Sequence, residues 1–141
     1  ANMQRLEKKF ATASQLVPRP EINQGKQVAK LGLIYFGTSS HAMNEVLAQL
    51  KDHGLSADTL RIRAFPFQSS IELFIAGHQQ VFVIEQNRDG QMRSLLINEL
   101  GIAPEKLNAI NSYDGLPLTS EFVVTGVLAS LAKELDQQQV G

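Results

Sequence analysis

The chain contains no cysteine. That excludes a disulfide, a thiolate nucleophile and a cysteine-ligated iron–sulfur cluster within this polypeptide, and it fits a reducing compartment. Net charge is equally scarce. With 13 Lys+Arg against 14 Asp+Glu the formal charge is -1, so the balance attracts no polyanion and nucleic acid is not expected as a partner. No uninterrupted apolar run approaches the roughly 20 residues of a membrane span, and the amino end lacks the apolar core of a secretory signal. The cytoplasm is the expected compartment, without membrane contact. The chain also lacks a complete dinucleotide fingerprint, a Walker loop and a Gly-x-Ser-x-Gly elbow. His41, His53 and His78 are too widely spaced to set two ligands on one helical face, so no metal site is expected. Ser39 and Ser40 adjoin His41, but adjacency along the chain does not supply the geometry of a catalytic triad.

What is present is 141 residues, 43% hydrophobic and 19% charged, an ordinary globular composition. This is about one domain, long enough to bury well over half of its unfolded surface around a single core. The chain opens Ala-Asn-Met and reads as a processed or excised piece. Residues 1–29 read as an amino-terminal helix and linker, 30–136 as an α/β domain and 137–141 as a disordered tail. In the first segment Met3, Leu6, Phe10 and Ala13 recur at helical spacing, and Pro18 and Pro20 end the pattern. Its apolar stripe is either packed on the domain or an interface.

Within the domain, strands and helices alternate. Leu31 to Phe36 is an unbroken apolar run, Leu60-Arg61-Ile62-Arg63 alternates, Val81 to Ile84 is β-branched and aromatic throughout, and Leu107 to Ile110 is a weaker strand. Between them lie helices. The first places Met43, Val46, Leu47 and Leu50 on one face and stops at Gly54; the second opens at Ser69 with Glu72 at capping-box spacing and ends at Gly77. A third runs from Gln91 to Leu100 with Met92, Leu95, Leu96 and Leu100 inward. A closing helix, capped by Thr119, turns Val123, Val124, Val127, Leu128, Leu131 and Leu135 inward. Repeated strand–helix units predict a three-layer α/β/α sandwich with a mainly parallel sheet of four to five strands, because parallel neighbours require crossovers. Glu21-Ile22 is an optional further edge strand.

Two loops where a strand feeds a helix are candidate sites. In Gly37-Thr38-Ser39-Ser40, hydroxyls and free backbone amides suit a phosphate or carboxylate, and equally an ordinary helix cap. In Glu85-Gln86-Asn87-Arg88-Asp89-Gly90-Gln91, Glu85 is placed for a general base or a cation, and Asn87 and Gln91 for a polar ligand, with Gly90 permitting a tight turn. The same residues make good turn chemistry, and contact with another domain is a third reading. Arg61 and Arg63 share a strand face and suit an anion, an acidic partner or solvent.

In order along the chain, Leu33-Ile34-Tyr35-Phe36-Gly37-Thr38-Ser39, Arg63-Ala64-Phe65-Pro66-Phe67, Glu85-Gln86-Asn87-Arg88-Asp89-Gly90-Gln91 and Tyr113-Asp114-Gly115-Leu116-Pro117-Leu118-Thr119 form a series. That series resembles the carboxyl-terminal domain of the alpha subunit of 2-oxoacid:ferredoxin oxidoreductases, especially the 2-oxoglutarate type, over roughly residues 17–130. The Glu-x-Asn-x-x-Gly-Gln station is its most specific element. The resemblance implies the transketolase carboxyl-terminal-domain fold, in which one edge strand runs against the others. It also implies a parent enzyme that uses thiamine diphosphate and Mg to decarboxylate a 2-oxoacid, passes electrons through iron–sulfur clusters to ferredoxin, and forms an acyl-CoA. The implied partners are the remaining domains and the beta subunit of that enzyme. The family's diphosphate motif, Gly-Asp-Gly followed by Asn-Asn, has no counterpart here, so no catalytic residue carries over and no cofactor is expected on this chain alone. A free-standing module binding a small anionic metabolite or nucleotide is the competing reading.

Overall fold

A computed structural model describes residues 20–25, 27–36, 40–63, 69–85, 91–111 and 118–140, with backbone alone for 40, 41 and 136–140. Five strands form one sheet: β1 (Glu21–Asn23), β2 (Leu31–Tyr35), β3 (Ala57–Arg61), β4 (Gln80–Glu85) and β5 (Leu107–Asn111). Their order across the sheet is β1-β3-β2-β4-β5. β3, β2, β4 and β5 run parallel, and β1 pairs antiparallel with β3 through Glu21↔Arg61 and Asn23↔Thr59. The helices are α1 (Ser40–Asp52), α2 (Ser69–Gly77), α3 (Gln91–Leu100) and α4 (Ser120–Val140), with a short 3-10 turn at Pro104–Lys106. The helix expected over residues 3–15 lies outside the described residues.

Strand alternation divides the core into two clusters, one on each face of the sheet. Leu33, Tyr35, Phe82 and Ile84 meet α1 and α4 through Met43, Val46, Leu50, Val123 and Val127. Ile34, Leu60, Val81 and Val83 meet α2 and α3 through Ile71, Phe74, Ile75 and Leu96. Each central strand therefore has no solvent face, which is why Leu31–Tyr35 and Val81–Ile84 carry apolar residues without alternation. The expected α/β/α sandwich, including an edge strand running against its neighbours, is the fold found. Ile84 lies fully buried at its centre.

Helix ends follow local chemistry. After α1, Gly54 adopts φ 74°; its N–H donates to Lys51 O (2.9 Å) and the Leu55 N–H donates to Leu50 O (2.9 Å). That pair of bonds closes the helix in a Schellman motif, whose left-handed residue is normally glycine. Gly101 (φ 65°) ends α3 in the same way, with Ile102 N–H on Ile97 O. At the start of α4, Thr119 Oγ1 accepts from Phe122 N–H at 3.1 Å, the cap read from the sequence.

Several boundaries differ from the sequence reading. The sheet begins at Glu21, where the optional edge strand is formed within the 1–29 segment: β1 finds backbone partners on β3 that are distant in sequence. β3 starts at Ala57 rather than Leu60; Asp58 is a poor strand former, yet it is buried there beside Thr59. Leu95 and Leu135 face outward. On α3 the inward line is Met92, Leu96 and Leu100, while α4 continues past its packed residues, leaving Leu135 exposed. The α4 backbone remains helical to Val140, where a disordered tail is expected, and a run of glutamines is compatible with that conformation.

Candidate functional site

Parallel register sets the strand ends side by side. Tyr35 pairs with Arg61 on one flank and with Ile84 on the other, and Glu85 pairs with Asn111. The carboxyl ends of β2, β3, β4 and β5 thus form one rim, from which the chain departs toward α1, α2, α3 and α4. Crevices outside the carboxyl ends of strands are where open α/β sheets bind their ligands. Of the four stretches that carry the family resemblance, the first runs through the end of β2, the third begins at the last residue of β4, and the second and fourth follow β3 and β5.

Of the candidate residues, Gly37, Thr38, Ser39, Asn87 and Gly90 lie outside the described residues. Ser40 is the first residue of α1, and Gln91 is the first residue of α3, with its side chain exposed. Glu85 is the best defined. It is 6% exposed, at the end of β4. Its Oε1 accepts from Met92 N–H at 2.7 Å and its Oε2 from Arg93 N–H at 3.2 Å. The first turn of α3 carries no acidic residue of its own, and Glu85 supplies the missing negative charge across the loop. Both carboxylate oxygens are committed to backbone amides, so the geometry is that of a helix cap. This is the structural reading that the sequence left beside the general-base one.

Arg93 completes the anchorage of α3. Its Nε donates to Leu107 O at 2.8 Å and its Nη2 to Pro104 O at 2.8 Å, clamping the helix to the turn before β5. Glu85→Ala is expected to release two amides and lower stability by about 1–2 kcal/mol, with Glu85→Gln costing less because one acceptor survives. Thermal unfolding of both variants measures the difference. At the other side of the rim Arg61 and Arg63 lie 3.8 and 3.9 Å from the Glu21 carboxylate. These are long, half-exposed contacts that contribute little to stability.

The opposite rim holds a constellation that sequence reasoning missed. His78, its side chain fully buried, lies between two acceptors: Nε2 is 2.7 Å from Asp58 Oδ2, and Nδ1 is 2.6 Å from Phe74 O. Asp58 Oδ2 also accepts from Ala29 N–H at 3.0 Å. Lys106 Nζ donates to the His78 backbone carbonyl. This network fastens the start of β3, the lead-in to β2, the end of α2 and the turn before β5. The one signal for it in the sequence is Gly32, a glycine inside an apolar strand, which marks a close approach. A Cβ there would stand 2.9 Å from Phe74 and 3.0 Å from the His78 ring. A cavity of about 620 Å³ opens on this rim between Val28, Leu31, Leu55, Asp58, Gln80 and Leu131.

No group of three or more His, Asp or Glu side chains converges among the described residues, the rim carboxylate Glu85 is already bonded, and the chain has no cysteine for an iron–sulfur cluster. No helix among the described residues is long and apolar enough to cross a membrane.

No protein-family model matches the chain. It is 29% identical over 138 residues to 2-oxoacid:ferredoxin oxidoreductase 2, subunit alpha, of Aeropyrum pernix, covering 95% of this chain and 21% of that protein. It is 26% identical over 130 residues to the 2-oxoacid:ferredoxin oxidoreductase subunit alpha of Saccharolobus solfataricus, covering 89% of this chain and 20% of that one. The chain is similar over most of its length to 2-oxoacid:ferredoxin oxidoreductase alpha subunits. It spans about a fifth of the length of these curated relatives. Among solved structures, the 2-oxoglutarate:ferredoxin oxidoreductase of Magnetococcus marinus, with 2-oxoglutarate, coenzyme A and succinyl-CoA bound, superposes with TM-score 0.73 at 23% identity, over 91% of this chain and 22% of that one. The alpha chain of a probable 2-oxoacid ferredoxin oxidoreductase from Thermoplasma acidophilum matches with TM-score 0.54 at 22% identity, over 81% of this chain and 97% of that one. A split-gene transketolase, an inactive beta4 tetramer, shares the fold with TM-score 0.63 at 17% identity, over 81% of this chain and 41% of that one.

Proposed function

We propose that this chain serves as a non-catalytic domain of a thiamine-diphosphate-dependent 2-oxoacid:ferredoxin oxidoreductase, acting in assembly and in shaping the approach to the active site. The observation that carries this reading is the use made of Glu85. The acidic residue at the end of β4 holds the start of α3 in place, across the stretch 86–90 that carries the most specific motif. A rim built this way is suited to presenting a polar loop to a neighbour. Thiamine diphosphate, Mg and iron–sulfur clusters belong, on this reading, to the rest of the enzyme. The partners are its remaining domains and beta subunit, with ferredoxin and CoA engaged by the whole complex.

The competing reading, a free-standing module for a small anion, meets an obstacle at the same place. The Met92 and Arg93 amides that an anion would use are occupied by a carboxylate. Calorimetry of the chain with thiamine diphosphate, CoA, 2-oxoglutarate and nucleotides separates the two: no binding is expected from the isolated chain, and tight binding of a nucleotide would favour the module. A second measurement addresses assembly. Asn87→Ala and Gln91→Ala are expected to weaken association with the remaining oxidoreductase domains about tenfold while moving the unfolding midpoint by no more than a surface substitution does. Equal losses of stability and association would show that these residues hold the turn and nothing more.

A further inference from the structure

Ile71, Phe74 and Ile75 turn α2 onto the sheet, and at about 100° per residue Leu73 falls on the opposite side of the helix. It is 72% exposed. Ile22 pairs with Leu60 across β1 and β3, so its side chain projects from the sheet face that carries α2, and there it is 42% exposed. Charge on this side of the molecule has one sign. The exposed charged residue of α2 is Glu72, and the helix contains no Lys or Arg. α3 adds the exposed Glu99, while its one cation, Arg93, is turned to the Leu107 and Pro104 carbonyls. An exposed leucine beside a carboxylate suits an apolar surface edged with basic groups.

We propose that residues 3–15 of this chain supply that surface, docking as an amphipathic helix along the outer side of α2 over Leu73 and Ile22. Met3, Leu6, Phe10 and Ala13 make its apolar side, and Arg5 and Lys9, one turn apart, border that side toward Glu72. With Arg5, Lys8 and Lys9 against Glu7, the stretch is basic where α2 is acidic. The path between them is short. Pro20 precedes β1, Glu21 pairs with Arg61 at the end of β3, and α2 is the next helix after β3. Residues 14–19 span up to about 20 Å when extended, enough to carry the helix from the edge strand back over that face. A second copy of the chain fits the surface worse, because a two-fold contact through Leu73 sets two Glu72 carboxylates against each other. The inference concerns contacts inside one chain and stands apart from the assembly reading.

The test uses the full 141-residue chain, whose lack of cysteine lets two introduced thiols take the only labels. Nitroxides are placed at Ala13→Cys and at Ala76→Cys, an exposed position of α2 one turn beyond Leu73, so the apolar anchors stay intact. Pulsed dipolar spectroscopy is expected to give one narrow, short distance that survives dilution with unlabelled chain. A broad distribution overturns the proposal, and so does a distance that dilution removes, which would assign the surface to a second copy. Thermal unfolding supplies the second arm. Leu73→Ala and Phe10→Ala are each expected to lower the midpoint by about 2–4 °C, and the double variant by less than the sum, because the two changes remove one contact. Leu135→Ala, at a leucine 59% exposed on α4, is expected to leave the midpoint unchanged. An unchanged midpoint for Leu73→Ala overturns the proposal, since alanine on a solvated helix face costs nothing. Weakened association with the remaining oxidoreductase domains at an unchanged midpoint would give Leu73 to one of them, and it overturns the proposal while leaving the assembly reading in place.

Discussion

Gly32→Ala is expected to destabilise the domain by about 1–3 kcal/mol, and Gly32→Val by more, although alanine and valine are ordinarily better strand residues than glycine. The reason is the His78 ring. A Cβ on β2 would stand 2.9 Å from Phe74 Cε1, 3.0 Å from His78 Cγ and 3.2 Å from His78 Nδ1. Phe74 and His78 are buried and pack against each other with ring centroids 4.2 Å apart, so a shift of one ring presses on the other. Nor can the imidazole retreat without loss, because both its nitrogens are held, at 2.6 and 2.7 Å. The smaller conformational entropy of alanine in the unfolded chain returns about 0.4–1 kcal/mol, less than the packing cost. Denaturant unfolding gives the measurement, as a fall in midpoint at constant slope. Gly126→Ala is the matched control. Its Cβ would meet the Ile110 side chain at 3.4 Å, and an alanine inside α4 gains helix propensity, so that variant is expected to be neutral or slightly more stable. Equal effects at the two glycines would refute this account of the core.

Asp58→Ala should cost about 3–5 kcal/mol, as large a loss as any single change in the described residues. It leaves His78 Nε2 and Ala29 N–H without acceptors in a site where the His78 side chain has no exposure. His78→Phe keeps a ring of similar shape but strands the Asp58 carboxylate, with a loss of the same order. Combining Asp58→Val with His78→Phe should restore much of the stability, because replacing both members of a buried polar pair is far less damaging than removing one. The expected double-mutant coupling is about 1–3 kcal/mol. Additive losses would mean that the two side chains act independently, contrary to their 2.7 Å contact. The pair also explains how a strand as polar as Ala57-Asp58-Thr59 lies inside the sheet: its carboxylate is matched on arrival.

Much of the architecture was legible because it depends on local signals. Unalternated apolar runs at Leu31–Tyr35 and Val81–Ile84 imply strands covered on both faces, and glycines at 54 and 101 imply helix ends. Errors fell where a neighbour decides the outcome. Leu95 and Leu96 both lie at plausible inward positions on α3, but only Leu96 packs on the sheet and Leu95 is left exposed. The edge strand at Glu21-Ile22, left optional by the sequence, forms because it finds a free edge of β3.

The candidate site was legible in place and less so in role. Glu85 was nominated as a residue at a strand end, and it stands there, but only the folded chain shows its oxygens on the Met92 and Arg93 amides.

By itself the amino-acid sequence determined the fold class, the alternation of strands and helices, and the exclusion of cysteine chemistry, since each follows from residue type and spacing along the chain. Tertiary structure alone decided which strands are neighbours, that His78 meets Asp58 across 20 residues, and that the carboxylate of Glu85 closes a helix. The division is physical: periodicity acts over a few residues, whereas a hydrogen bond between distant segments exists only after the sheet has fixed their separation.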